Sequence, residues 1–106
     1  MDLGLRGLRA LVSGGTKGIG RAIADTLAAE GAHVSLCARD AAEVEGAVAA
    51  LRSRGVRAHG RALDVADAAA LRGWVEEAAA DLGGVDIVVA NVSALAIGAD
   101  EASWRA

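Results

Sequence analysis

The sequence predicts a doubly wound α/β fold on a parallel sheet, and three of its features carry that expectation. Strand-length apolar runs alternate with segments of helical period along the whole chain, and glycines stand at the switches between them. The run 85–90 is almost unbroken in apolar residues, as a strand covered by helices on both faces should be. Alternation of this kind implies right-handed crossovers between parallel strands.

Leu8 to Ser13 is a short apolar run that ends in Gly14 and Gly15. From Gly18 to Glu30 the period becomes helical, with Ile19, Ile23 and Leu27 on one side, and Gly31 stops the helix. Ala32 to Cys37 reads as the second strand, with β-branched Val34 near its centre. Asp40 opens a second helix, with Glu43 three residues on completing a capping box; Val44, Ala47, Val48 and Leu51 share a face. Arg52 and Arg54 fall in its last turn, where the dipole favours cations, and Gly55 closes it. Val56 to Leu63 is a weaker third strand, interrupted by Gly60 and polar side chains, and so is expected at an outer position. A third helix capped near Asp67 carries the stripe Leu71, Trp74, Val75, Ala78 and Leu82 and ends at Gly83 and Gly84. Val85 to Ala90 then reads as a central strand. A loop follows to Gly98, and Asp100 caps a further helix that runs to Ala106.

At 106 residues the chain suffices for one domain that buries roughly two-thirds of its surface. Hydrophobic residues make up 54% and charged residues 24%, with no proline, a globular composition. The only aromatic residues are Trp74 and Trp104, read as core anchors, so the core must be built from Ala, Val, Leu and Ile. A net charge of -3 with interspersed signs provides no basic stripe for a phosphate backbone, which argues against nucleic acid as a partner. No apolar run approaches the roughly 20 residues of a membrane span, and Met1 is followed by an acidic residue, so a cytoplasmic protein is expected. Ten of the eleven basic residues are arginine, a bias common in high-GC bacterial genomes. Cys37 is the single cysteine and is read as a small apolar strand residue. His33 and His59 have no ligand-spaced partner in the sequence, and no metal site is expected.

The segment Ser13-Gly14-Gly15-Thr16-Lys17-Gly18-Ile19-Gly20 lies between the first strand and the first helix, where a phosphate-binding turn has to sit. Gly14 permits the sharp turn, Gly18 lets backbone N–H groups approach a diphosphate, and Gly20 lets the helix pack closely on the sheet. An anion there would rest on the positive end of the helix dipole.

With this segment the chain resembles the short-chain dehydrogenases/reductases, whose fingerprint is Thr-Gly-x-x-x-Gly-Ile-Gly; Ser13 stands in place of the threonine. The resemblance runs through the whole chain, with Arg39 after the second strand, Asp64-Val65 after the third, 86–91 around the end of the fourth, and Trp104 in the helix that follows. It implies a Rossmann-type domain of which residues 1–106 would be the amino-terminal half, about four strands in the order 3-2-1-4. It also implies cofactor contacts from Gly14, Thr16, Lys17, Gly18, Ile19, Gly20, Arg39, Asp64, Val65 and Asn91. NAD-preferring members carry an acidic residue after the second strand, where this chain has Ala38 and Arg39. A guanidinium can hold a 2′-phosphate through paired hydrogen bonds, and Lys17 would add a second cation, so NADP(H) is the expected cofactor. Asp64 and Val65 match the residues that meet the adenine edge. Asn91 matches one position of the family's Asn-Asn-Ala-Gly motif, while Ala90, Val92 and Ser93 depart from it.

The resemblance implies an oxidoreductase that interconverts a small carbonyl compound and an alcohol by hydride transfer, through a Ser, Tyr and Lys set. The chain contains no tyrosine, and its only lysine is Lys17, so by itself it is expected to be inactive, with no catalytic residue of its own. With four strands, the run 85–90 would form an apolar edge, which invites self-association into a homo-oligomer. Two other readings stay open: a non-catalytic nucleotide-binding module, and a partner-binding fragment without a ligand. A methyltransferase would share the glycine turn but would carry an acidic residue where Arg39 stands.

Overall fold

The computed structural model of the chain describes residues 4–90, so the loop after Asn91, the helix expected from Asp100, and Trp104 lie outside the described residues. Seven elements alternate: β1 (Arg9–Ser13), α1 (Gly18–Ala29), β2 (His33–Ala38), α2 (Ala41–Arg52), β3 (Ala58–Ala62), α3 (Ala68–Leu82) and β4 (Ile87–Ala90). The strands form one parallel sheet in the order β3-β2-β1-β4, as the sequence predicts. Register pairs Ser13 with Cys37 and with Ala90, and Ala38 with Ala62, so every strand ends along the same side of the sheet.

Side chains alternate between two faces, as the two-residue period of a strand requires. Ala10, Val12, Val34, Leu36 and Ala58 join Ala24, Leu27 and Ala28 of α1 and Val44, Ala47, Val48 and Leu51 of α2 in one apolar layer. Leu11 and Cys37 face the other way and pack with Leu63, Trp74, Ala78 and Leu82 beneath α3. Burial pushes the Cys37 thiol above its ordinary pKa, against the weaker pull of the Gly14 backbone. Small residues at the layer boundaries let helices approach: a Cβ on Gly60 would lie 2.6 Å from Val44 Cγ1 and 2.7 Å from Val48 Cγ2, so the glycine that weakens β3 as a strand lets α2 lie against it.

Several boundaries shift for identifiable reasons. β3 is shorter than the expected 56–63, and it is an edge strand as predicted. Val85 and Asp86 precede β4 because Asp86 is committed to Arg9: its carboxylate accepts from Arg9 N at 2.9 Å, Nε at 2.8 Å and Nη2 at 3.2 Å. Arg9 Nη1 also donates to the Gly83 carbonyl at 2.9 Å, tying the end of α3 to the start of β1. This clamp holds the Asp86 carboxyl below the usual carboxylate range, chiefly through the guanidinium hydrogen bond. Arg54 falls past the end of α2, and Arg52 bonds the Ala58 carbonyl at 3.2 Å instead of a helix carbonyl. The α3 stripe is narrower than its spacing suggests, for Val75 is exposed while Trp74, Ala78 and Leu82 are buried. Ile19 is likewise exposed and is no part of the α1 stripe.

Expected to be central and covered on both faces, β4 pairs with β1 alone among the described residues. Val88 shares the register of buried Leu11 but is 68% exposed, because α3 lies over β1, β2 and β3 and does not reach it.

A polar chain threads the α3 face. The Trp74 indole N–H donates to Ser35 Oγ at 2.9 Å, Ser35 Oγ lies 2.8 Å from His59 Nδ1, and His59 Nε2 lies 2.9 Å from Glu77 Oε1. Indole N–H can only donate, so Ser35 Oγ accepts from it, and the Glu77 carboxylate can only accept, so Nε2 presents its proton to Glu77; in the neutral ring Nδ1 is then the acceptor of the Ser35 hydroxyl proton. The sequence gives His59 no partner because Ser35 and Glu77 lie 24 and 18 residues away. His33 Nδ1 accepts from Arg57 N at 3.0 Å, a purely structural bond.

Candidate functional site

In a parallel sheet with reversed strand order, ligands are met at the carboxyl ends of the strands near the point of reversal. Here the reversal lies at β1, with β2 on one side and β4 on the other. The turn 14–17 leaves β1 at that point, pinned to the neighbouring strand: Gly14 N and Gly15 N donate to the Cys37 carbonyl at 2.8 and 3.4 Å. Gly14 and Gly18 have φ of +68° and +56°, which a side chain would strain, and a Cβ on Gly18 would stand in open space.

The amino terminus of α1 differs from those of the other two helices. Asp40 caps α2 through bonds to Ala42 N and Glu43 N at 2.9 and 3.1 Å, and Asp67 caps α3 through Ala70 N at 3.1 Å. Lys17 at the N-cap of α1 contributes no side-chain cap, and the first turn holds no acidic residue. The first bond back to the cap is Arg21 N to the Lys17 carbonyl, at 3.2 Å. Among the described residues no acceptor faces the N–H groups of Gly18, Ile19 and Gly20. Three aligned donors at the positive end of a twelve-residue helix, reached through glycines, form a socket for an anion. The residues present fit the diphosphate of a dinucleotide, and Ile19 in the same turn of helix is exposed.

The expected capping box on α2 is only half formed. Glu43 turns away from the Asp40 backbone: its Oε2 lies 3.1 Å from Lys17 Nζ and its Oε1 accepts from Thr16 Oγ1 at 3.2 Å. Charge explains the choice, because an ammonium group is a stronger partner for the carboxylate than a neutral N–H. This contact is not legible in the sequence, because Thr16 and Glu43 lie 27 positions apart and the local capping pattern masks it.

Arg39 follows β2 directly, is exposed, and forms no hydrogen bond or ion pair among the described residues. Asp64 lies past the end of β3, where one carboxylate oxygen accepts from Ala66 N at 2.9 Å and so is spent on its own turn. Val65 packs partly against the α3 layer. The glycine turn, Arg39, Asp64 and Val65 thus all follow strand ends on one side of the sheet. Asn91, which follows β4, lies outside the described residues.

The model of the short chain dehydrogenase family matches residues 9–105. The chain belongs to the short-chain dehydrogenases/reductases. A protein of Streptomyces violaceoruber named as a ketoacyl reductase of the granaticin polyketide synthase is 49% identical over 82 residues, 77% of this chain and 30% of the relative. Among solved structures, the L-sorbose reductase of Gluconobacter frateurii, complexed with NADPH and L-sorbose, is 39% identical with a TM-score of 0.82, over 88% of this chain and 36% of that one. A short-chain dehydrogenase of Burkholderia cenocepacia, in complex with NADP, is 43% identical with a TM-score of 0.80, over 84% and 37% of the two chains. Another from Mycobacterium paratuberculosis, bound to NAD, is 28% identical with a TM-score of 0.78, over 84% and 38%. This short-chain dehydrogenase/reductase chain spans about a third of the length of the curated relatives it matches. No helix among its described residues is long and apolar enough to cross a membrane.

Proposed function

We propose that this chain is the NADP(H)-binding part of a short-chain oxidoreductase that interconverts a carbonyl compound and an alcohol. The observation that carries the reading is the uncapped amino terminus of α1, opened by Gly14 and Gly18 and flanked by the cations Lys17 and Arg39. The bound dinucleotide would supply the hydride. The N–H groups of Gly18 to Gly20 would hold its diphosphate, and the unpaired Arg39 guanidinium would meet the 2′-phosphate as a planar bidentate donor. With Ala38 in place of an acidic residue, β2 itself ends without a carboxylate to oppose that phosphate. Structural relatives holding NADPH or NADP at 39–43% identity support this preference, and NAD-bound relatives at 27–33% identity make the measurement of it necessary. A tyrosine acid and a second lysine have no counterpart in these 106 residues, so turnover is assigned to further protein that supplies them, and the chain is proposed to bind without reacting.

Titration of the chain with NADPH and NADH tests the reading. NADPH should bind about tenfold or more tightly, and Arg39→Ala should remove most of that advantage while leaving NADH binding nearly unchanged. Equal or tighter binding of NADH would overturn it.

A further inference from the structure

We propose that Glu43 sets cofactor discrimination by competing with the 2′-phosphate for Lys17, an inference that rests on the NADP(H) reading above. Glu43 is the third residue of α2, and the amino terminus of that helix is already capped by Asp40. Its carboxylate is therefore free of a capping duty and reaches across to the glycine turn, bonding the side chains of two successive turn residues, Thr16 and Lys17.

The consequence is electrostatic. The turn carries one cation, Lys17, whose ammonium is paired with Glu43, while Arg39 at the end of β2 has no partner among the described residues. A phosphate drawn to this corner meets Arg39 unopposed, but it must displace Glu43 from Lys17 or share the ammonium with it. Sharing puts a carboxylate close to a phosphate bearing nearly two negative charges, so Glu43 penalises the phosphorylated cofactor and is close to neutral toward one without the phosphate. Lys17 is 77% exposed and Glu43 35%, so solvent moderates the penalty and salt screens it further.

A double-mutant cycle of Glu43→Gln with Lys17→Met, read as affinity for NADPH, NADH and the fragment 2′,5′-ADP, tests this. Glutamine keeps an oxygen for Thr16 and removes the charge. Glu43→Gln should tighten NADPH and 2′,5′-ADP about three- to tenfold at low salt, change NADH less than twofold, and lose most of its effect at 1 M salt. In the Lys17→Met background the gain should shrink to less than twofold. Far-UV circular dichroism melts of each variant report whether α2 is retained, and Glu43→Asp supplies a variant that keeps the charge but shortens the reach. If wild type prefers NADPH and Glu43→Gln leaves it unchanged or weakens it, competition is overturned and the NADP(H) reading stands. If wild type shows no preference for NADPH the NADP(H) reading fails, and if Glu43→Gln then creates no preference either, competition fails with it.

Discussion

Replacing Ser35 by alanine removes a single oxygen from the sheet and should be among the costliest small changes available to this chain. Ser35 is 0% exposed and accepts the only hydrogen bond of the Trp74 indole, itself 3% exposed. Alanine leaves space where the hydroxyl was, too little for water, and strands a buried donor at a cost of about 1–3 kcal/mol. His59 loses its Nδ1 partner as well, but its side chain is 14% exposed and can turn to solvent, so the larger share falls on Trp74. A central figure of about 2 kcal/mol corresponds to a fall in melting temperature of about 8–16 °C for a domain of this size. Urea titration followed by far-UV circular dichroism gives the free energy. The same substitution made in a Trp74→Phe background, where no N–H remains to be stranded, should cost at least about 1 kcal/mol less. An effect of Ser35→Ala below about 0.5 kcal/mol, or an equal effect in both backgrounds, would refute the assignment of the bond as the source of stability.

Two further outcomes follow from the packing and the clamp. Gly60→Ala brings a methyl to within 2.6–2.7 Å of the Val44 and Val48 methyls and should destabilise by about 1–3 kcal/mol in a thermal melt, with partial rescue by Val44→Ala. Because the Asp86 carboxyl is held low by Arg9, it binds its proton less readily folded than unfolded. Its contribution is therefore fully present above the unfolded carboxyl pKa of about 4 and is lost as pH falls through the lower folded value. Asp86→Asn should lower the melting temperature at neutral pH and converge on wild type under acid conditions.

The fold was legible because changes of period coincide with glycines: 8–31 switches from strand to helix and back at Gly14, Gly18 and Gly31, and the structure keeps each boundary to within a residue or two. The anion socket was legible because a strand, a glycine turn and a helix follow one another without a gap. Features that depend on who sits opposite were hidden. Glu43 satisfies a local capping pattern yet chooses a distant ammonium, and His59 gains its partners only when β2 and α3 close around it. Val75 and Ile19 share their helical spacing with buried neighbours, but exposure depends on how far the covering layer extends, which a period cannot say. Gly60 read as a flaw in a strand, and its meaning appears only with α2 in place.

Lys17 carries the only side-chain amine in the chain, and it stands over the glycine turn. Within these 106 residues every acylation of a lysine therefore occurs at one address, the mouth of the proposed cofactor socket. An acyl mass located on the Lys17 peptide would report that the mouth is open, and its suppression by a bound dinucleotide, with acylation of the α-amine as the internal control, would turn an ordinary amine reagent into a footprint of occupancy, read without turnover or any optical signal from the cofactor.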